Sequence, residues 1–174
     1  MAETKSSGIL APIEQIVMPI ASAIPVPQLK VWLSAYFHPM ETYEANKKDS
    51  NVGGVVVHLA LIGLLSWLVT VVASVLGLNF AGLIVLLPMI IALPIIMVIG
   101  GFIGSLVLFI LAKILGGKGG FMEQTFALAL VFGGAIALAA PFNALAGIPI
   151  IGGLIGLVGS LIAIYNVYNE YLVI

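Results

Sequence analysis

The pattern of apolar and polar positions divides the chain into a polar head and an apolar body. Polar and apolar residues are mixed over residues 1–50, whereas nearly every position after Asn51 is apolar. We therefore expect an N-terminal interfacial or amphipathic segment with a polar loop over residues 1–50, and a transmembrane domain over residues 51–174. The long apolar runs predict an all-α protein, a multi-pass bundle of transmembrane helices.

The head begins with a predicted amphipathic helix. Its apolar residues recur at three- and four-residue spacing, which puts them on one helix face. They are Ile9, Leu10, Ile13, Ile16, Val17 and Ile20. The stretch is too short to span a bilayer and contains Pro12 and Pro19, so we expect an interfacial helix lying on headgroups or on a partner. Pro25 and Pro27 then predict a stiff, extended connector.

The rest of the head is predicted to be a second interfacial piece followed by a loop. Aromatic and apolar residues precede the first span, as in the aromatic belts at membrane interfaces. They are Val31, Trp32, Leu33, Tyr36 and Phe37. The segment Glu41–Asn51 is the most polar of the chain, and we expect it to be a solvated loop.

The apolar body contains a clear first span and an ambiguous second region. Asn51 suits the N-cap of a helix over Val52–Leu76, followed by a tight turn over residues 77–79. The next stretch, Phe80–Leu115, is too long for one simple span and barely long enough for two. Kinks are expected at its helix-disturbing residues. These are Pro88, Pro94, Gly100 and Gly101.

The positions of the lysines favour a single kinked crossing in the second region. With one crossing, Lys47 and Lys48 lie on the same membrane face as Lys113 and Lys118, which the positive-inside rule assigns to the cytoplasm. Two crossings would divide the lysines evenly between the faces. We therefore predict four spans, with five as the alternative, and both termini on the cytoplasmic face.

Two further spans complete the predicted bundle. The third covers Phe126–Ala140 with flanking residues and ends near Pro141 and Asn143, because proline disturbs a helix. The fourth covers Ile148–Val173. The N-terminus lacks a basic segment followed at once by an apolar run, so we expect insertion to depend on the first internal span.

Composition supports the membrane assignment and excludes several function classes. The chain is 62% hydrophobic and 7% charged, with a mean hydropathy of +1.27, whereas a soluble domain carries about 25% charged residues. Its net charge is −1 and it has no arginine, so we expect no nucleic-acid partner. It has no cysteine, which excludes thiolate metal sites. We expect membrane lipids and other membrane proteins or self-association as partners, no cofactor, no metal, and no identifiable small-molecule substrate.

Two polar groups within the predicted spans are candidate sites. His58 is the one ionisable side chain of the first span; it fits a neutral, hydrogen-bonded structural histidine, with a proton-relay or ligand role as the alternative. Asn166, Asn169 and Glu170 share one helix face. They fit a helix end at the membrane interface, and a cation site is the alternative.

Small residues recur at four-residue spacing and predict helix packing. The rows are Gly100 with Gly104, Gly133 with Ala137, and Gly152 with Gly156 and Ser160. Such rows allow close backbone approach, either within the chain or between copies; we expect Gly156 to face another helix. The glycine-rich segment over residues 116–120 lacks the spacing of a phosphate-binding loop and predicts a tight turn.

Several short blocks in order resemble the Yip1 family of small polytopic membrane proteins, especially its archaeal and bacterial branch. The first is an entry segment with Phe37, Pro39, Glu41, Thr42 and Tyr43. The second is a turn formed by Gly116, Gly117, Lys118, Gly119, Gly120 and Phe121. The third is Pro141 followed by Ile148, Pro149, Ile151 and Gly152. The resemblance covers residues 35–172, and it departs from the family at Gly120, where serine is commoner.

The resemblance implies a membrane protein without known catalytic residues. Eukaryotic members are tied to vesicle trafficking and small GTPases of the Rab class, whereas prokaryotic relatives mostly lack a known activity. The short head favours a prokaryotic source, which implies the plasma membrane; a eukaryotic source implies the endoplasmic reticulum or Golgi.

Three functions are considered on this basis. The preferred one is a non-enzymatic integral membrane scaffold or accessory subunit that packs against other membrane proteins or shapes the membrane. The alternative is a component of a small transporter or channel, in which a broken second span lines a substrate path. An intramembrane enzyme is third, since it would need a nucleophile and a base, or a metal cluster, close together.

Overall fold

The computed structural model describes residues 11–145 and residue 148, and this part of the chain is α-helical. Its helices are α1 (Ala11–Ala23), α2 (Pro27–Phe37), α3 (Pro39–Asn46), α4 (Val52–Leu76), α5 (Phe80–Ile114) and α6 (Phe121–Leu145), with a 3-10 turn over Lys47–Asp49. By length and composition, α4, α5 and α6 can each cross a membrane. The all-α, multi-pass prediction is confirmed. The predicted fourth span, Ile148–Val173, lies outside the described residues.

The start of α4 follows directly from the sequence. The Asn51 side chain accepts a hydrogen bond from the backbone N–H of Gly54 at 3.0 Å, as an N-cap does. Asn79 caps α5 in the same way through the N–H of Gly82, also at 3.0 Å. The prediction of the first span is confirmed at both ends, because α4 runs from Val52 to Leu76.

The second apolar region forms one continuous helix. The 35 residues of α5 include Pro88 and Pro94 without an interruption of helical structure. The structure therefore has one helix here that is long and apolar enough to cross a membrane, which is the number that the lysine positions favoured. This helix is continuous, whereas spans that line a substrate path are often broken.

Helices α4 and α5 end in the same motif with different residues. At the end of α4, the N–H of Asn79 bonds to Ser74 O and that of Leu78 to Val75 O. At the end of α5, the N–H of Gly117 bonds to Ala112 O in the equivalent way. The left-handed position of this Schellman motif is Leu78 (φ 54°) in α4 and Gly116 (φ 89°) in α5.

One boundary prediction was wrong, and two were close. The expected loop after Glu41 is mostly helical, because Pro39 opens α3, where its missing N–H costs nothing. Helix α6 continues through Pro141 and ends at Leu145, two residues after Asn143, near which the third span was predicted to end. The connector predicted from Pro25 and Pro27 is present over residues 24–26, and Pro27 opens α2.

The core lies between α2, α4 and α6. Its buried residues come from all three helices: Trp32, Ala35, Val55, Leu59, Ile62, Phe126, Ala129 and Leu130. The expectation that Trp32 and Tyr36 lie in a membrane-interface belt was wrong, since they are only 2% and 5% exposed. Both residues pack against α6, where Gly133 leaves room for the Trp32 ring and Gly134 for the Trp32 carbonyl and the Tyr36 Cβ atom.

Helix α1 packs on the outside of this core. Val17, Met18 and Ala21 contact a small cluster formed by Leu33, Tyr36 and Leu138. The Glu14 carboxylate adds a hydrogen-bond contact with the His38 ring, at 2.7 Å between Oε1 and Nε2. The predicted apolar face of α1 is not buried within the protein, because Ile13, Ile16 and Ile20 are exposed. Ile9 lies outside the described residues. The burial of this face in a membrane surface stays a prediction.

Gly63 and Gly101 let α4 and α5 approach closely. Neither glycine belongs to the predicted rows of small residues at four-residue spacing. A Cβ atom on Gly63 would lie 2.5 Å from Pro94 Cα, and one on Gly101 would lie 2.7 Å from a Leu59 methyl carbon. The Trp67 indole N–H also donates across this contact, to the Leu86 carbonyl at 2.7 Å. The α4–α5 contact therefore depends on small residues on both helices.

Candidate functional site

His58 is held in the core as a hydrogen-bond acceptor. Its side chain is buried on α4, and its Nδ1 accepts the Trp32 indole N–H at 2.7 Å. The Phe126 ring meets it edge-on, with 5.4 Å between ring centroids. Indole N–H groups only donate, so Nδ1 must be unprotonated, and a neutral His58 carries its proton on Nε2.

This geometry is that of a structural histidine. The bond ties α2 to α4 and provides the polar end of a buried indole with its acceptor. Among residues 11–145 and residue 148, no group of three His, Cys, Asp or Glu side chains is placed to hold a metal ion. The other predicted polar group, Asn166 with Asn169 and Glu170, lies outside the described residues.

A cavity of about 120 Å³ opens where α5 ends and α6 begins, and we call it the loop-end cavity. It is lined by Tyr43, Phe109, Ala112, Lys113, Gly117, Gly119, Glu123, Gln124 and Ala127. Tyr43 reaches it from α3, just before the first span. The segments before α4 and after α5 therefore meet at one end of the bundle.

The charged groups of the loop-end cavity are fixed by local contacts. Lys113 donates to the Gly117 carbonyl at 3.2 Å and lies over the Phe109 ring, 5.2 Å from its centroid. Glu123 accepts the N–H of Gly120 at 3.0 Å, the reach-back contact of a capping box at the start of α6. A cation and an anion thus line the same small cavity.

Tyr43 and Gln124 supply the uncharged polar groups. Burial raises the pKa of the Tyr43 hydroxyl, and the nearby carboxylates of Glu123 and Glu44 raise it further. Tyr43 therefore stays a neutral hydroxyl, able to donate a hydrogen bond. Within the described part of the chain, Gln124 Nε2 is the buried side-chain nitrogen that lacks a hydrogen-bond partner. An unsatisfied buried N–H costs about 1–3 kcal/mol.

Several residues of the three short motif blocks line the loop-end cavity or lie next to it, whereas none of them is among the contacts of His58 described above. Tyr43, Gly117 and Gly119 line it, and Phe121 contacts Phe109 edge-on at 5.5 Å between centroids. Gly116 provides the positive φ at the end of α5. Other motif residues lie elsewhere; for example, Pro39 opens α3, Glu41 is exposed on it, and Pro141 lies within α6. Pro149 and Gly152 lie outside the described residues.

Sequence reasoning missed Gln124 and Glu123. One signal was available for Glu123, since an acidic residue three positions after Gly120 at a helix start is half of a capping box. No sequence signal marked Gln124, because its burial arises only when α3, α5 and α6 meet.

The predicted packing rows have different surroundings. A Cβ atom on Gly133 would lie 2.7 Å from the Trp32 ring, so this glycine is in a helix contact. Gly100 and Gly104 are exposed on α5, with nothing within 4 Å of an added Cβ atom. The third row, Gly152, Gly156 and Ser160, lies outside the described residues.

Comparison with known proteins gives one finding. The model of the family described as the Yip1 domain matches residues 33–171, which is most of the chain and includes all three motif blocks. No curated protein and no solved structure gives a match.

Proposed function

Because the chain belongs to the Yip1 family, which is a family of membrane proteins not known for enzymatic activity, we propose that it is a non-enzymatic integral membrane scaffold or accessory subunit. Its partners are other membrane proteins or a second copy of itself. A prokaryotic source would place it in the plasma membrane, and a eukaryotic source in the endoplasmic reticulum or Golgi.

The outward face of α5 supports this proposal. Gly100 and Gly104 form a four-residue pair there, and nothing in the described structure lies within 4 Å of a Cβ atom added to either. In lipid, helices associate through van der Waals packing, and paired small residues let two backbones come close. A helix of a partner protein can use this pair as its contact.

No observation favours the transporter or channel alternative. That function was suggested by His58, by Asn143 and by a broken second span. Helix α5 is continuous through both of its prolines, and His58 is buried and bonded to Trp32.

The test enlarges the α5 pair without weakening the helix. Gly100→Leu combined with Gly104→Leu raises helix propensity, so lost association cannot come from a poorer α5. Ala81→Leu is the matched control, because it adds similar bulk at another exposed position of α5. Each protein is extracted gently from its native membrane, and the bound membrane proteins and the oligomeric mass are measured.

Loss of a partner or of self-association in the double variant, but not in Ala81→Leu, would support the proposal. Equal association of all three proteins would mean that this face of α5 meets only lipid. A double variant that fails to fold in detergent without any partner would place the pair in a contact within the chain, and the proposal would then be wrong.

A further inference from the structure

We propose that α1 and α2 form a helical hairpin embedded in the bilayer, with the outward isoleucine face of α1 in contact with lipid acyl chains. This position is deeper than the interfacial one expected from the sequence. The proposal concerns how the head lies in the membrane and does not depend on the scaffold function. It rests on the places where the head contacts the long helices, on its charges and on the side chains of its exposed face.

Helix α2 contacts α6 at the middle of that helix. Gly133, against which the Trp32 ring packs, is twelve residues from both ends of α6. Leu138, which packs in a cluster with residues of α1 and α2, is fifteen residues after Glu123. Fifteen residues of helix measure about 22 Å, and the hydrocarbon core is about 30 Å thick. Because α6 is long and apolar enough to cross a membrane, these contacts lie inside the bilayer.

The contact with α4 gives a similar depth for α2. The Trp32 indole N–H donates to His58, which is seven residues after the Asn51 cap. That separation measures about 10 Å along the helix axis, whereas half of the hydrocarbon core measures about 15 Å. The chain then reaches the loop-end cavity through α3, where the Tyr43 ring lies 6.3 Å from the Phe126 ring between centroids. Helix α2 is therefore deeper in the membrane than the segment that follows it.

Helix α1 lies alongside α2 at this depth. Ala21, near the end of α1, is buried in one cluster with Leu33 of α2. Glu14, in the first turn of α1, contacts His38 at the end of α2, at 2.7 Å. The two helices are therefore antiparallel, and the connector over residues 24–26 joins them. Since α2 lies near the middle of the bilayer, α1 lies there too.

The hairpin contains few groups that need water. Between residues 11 and 37, Glu14 and Lys30 are the charged side chains. Ionisable groups inside a membrane pair with one another, as Glu14 does with His38. Lys30 has a long apolar stem on which its ammonium group can reach the headgroups. The Ser22 hydroxyl donates to the Met18 carbonyl at 2.9 Å, so it is satisfied within α1.

The exposed face of α1 and its connector suits acyl chains better than a headgroup layer or a partner helix. It is formed by four side chains that are 42–66% exposed, Ile13, Ile16, Ile20 and Ile24. Helices that lie among headgroups are rich in Lys and Arg on their polar face, and α1 contains neither. Helices that associate within lipid meet through small residues, whereas these four side chains are large.

Spin labelling of the full chain measures the depth of this face. Single nitroxides on Ile16→Cys and Ile20→Cys are studied in vesicles of phosphatidylcholine and phosphatidylglycerol. Their collision rates are measured with oxygen, which concentrates in hydrocarbon, and with a water-soluble nickel complex, which is excluded from it. Ile96→Cys, exposed near the middle of α5, is the hydrocarbon reference, and Leu78→Cys, in the turn before α5, is the headgroup reference. We expect positions 16 and 20 to match position 96.

A charge placed on the same face gives a second test. Ile20→Lys puts an ammonium group among acyl chains, which should shift the equilibrium towards a displaced α1 about a hundredfold. A nitroxide at position 16 should then collide more often with the nickel complex. Ile20→Leu is the matched control, because it keeps an apolar side chain of the same size, and it should leave the collision rates at position 16 unchanged.

Three results would overturn the proposal. Frequent nickel collisions at positions 16 and 20 in the parent would place α1 among headgroups or in water. Rare collisions with both reagents would mean that another protein segment covers the face. Unchanged collision rates at position 16 in Ile20→Lys would show that the face does not contact acyl chains. If Ile20→Lys does not fold, the labels in the parent chain decide between these positions alone.

Discussion

At the scale of single residues, the bundle depends on small residues where helices cross and on one polar pair in the core. Gly63 allows α5 to approach α4 so closely that even a methyl group would meet the backbone of Leu93 and Pro94. The Trp32 indole N–H and His58 Nδ1 form a hydrogen bond in a region that is otherwise apolar. These two contacts involve different helix pairs, so their effects on stability can be measured separately.

Gly63→Ala should lower the free energy of unfolding by about 1–3 kcal/mol, because the added carbon lies 2.5 Å from Pro94 Cα and backbone cannot move aside cheaply. Gly100→Ala is the control, since its Cβ atom enters open space and alanine improves helix propensity by up to about 1 kcal/mol. Unfolding by denaturant in detergent micelles compares the two. Equal stability of the two variants would contradict the close contact.

His58→Leu should lower the free energy of unfolding by about 1–3 kcal/mol, because it leaves the Trp32 indole N–H buried without an acceptor. Trp32→Phe removes that donor, so the double variant should lose less stability than the two single changes added together. A double-mutant cycle of unfolding free energies measures the difference. Strict additivity would show that the two side chains do not interact.

At the scale of helices, the C-terminal ends of α4 and α5 have the same backbone conformation but different residues at its left-handed position. Helices α4 and α5 both end in a Schellman motif, whose left-handed position favours glycine. Gly116 occupies that position in α5, whereas in α4 it is Leu78, one residue after Gly77. A leucine there costs roughly 1–2 kcal/mol relative to right-handed geometry. The side chain is 73% exposed, so little burial offsets this cost.

Leu78→Gly should therefore raise the free energy of unfolding by about 1 kcal/mol, and Gly116→Leu should lower it by a similar amount. Both changes lie in turns between helices and are measured by unfolding in micelles. A fall in stability for Leu78→Gly would mean that Leu78 makes a contact, for example with lipid, that outweighs its backbone strain.

At the scale of the whole molecule, the loop-end cavity shows which chain segments share one end of the bundle. Tyr43, which precedes α4, and Lys113, at the end of α5, line it together. Lys47 lies over the Tyr43 ring, 5.7 Å from its centroid, and so belongs to the same end. The turn between α4 and α5, which contains Leu78, lies at the other end.

Cysteine labelling in intact membranes should therefore modify positions 48 and 118 from the same side and position 78 from the opposite side. The chain contains no cysteine, so single-cysteine variants need no background changes. By the positive-inside rule, the side shared by positions 48 and 118 should be the cytoplasm. Labelling of positions 48 and 118 from opposite sides would contradict the single crossing by α5.

The sequence predicted features that depend on local chemistry, such as the Asn51 cap and the bounds of α4. It failed where neighbouring helices decide the outcome. Trp32 has the amphipathic character of a membrane-interface residue. It is buried instead, because Gly133 of α6 leaves space for its ring and His58 accepts its indole N–H. Gln124 could not be identified because its environment is built by three helices distant in sequence.

The unbroken α5 has a consequence for the bilayer itself. Its 35 residues measure about 52 Å, whereas the 25 residues of α4 and of α6 each measure about 37 Å. The hydrocarbon layer is only about 30 Å thick, so this helix is subject to hydrophobic mismatch. It must tilt or kink, or the surrounding lipids must stretch, at a cost of a fraction of a kcal/mol per Å. The protein should therefore partition into thicker membranes, so that acyl-chain length influences where it accumulates.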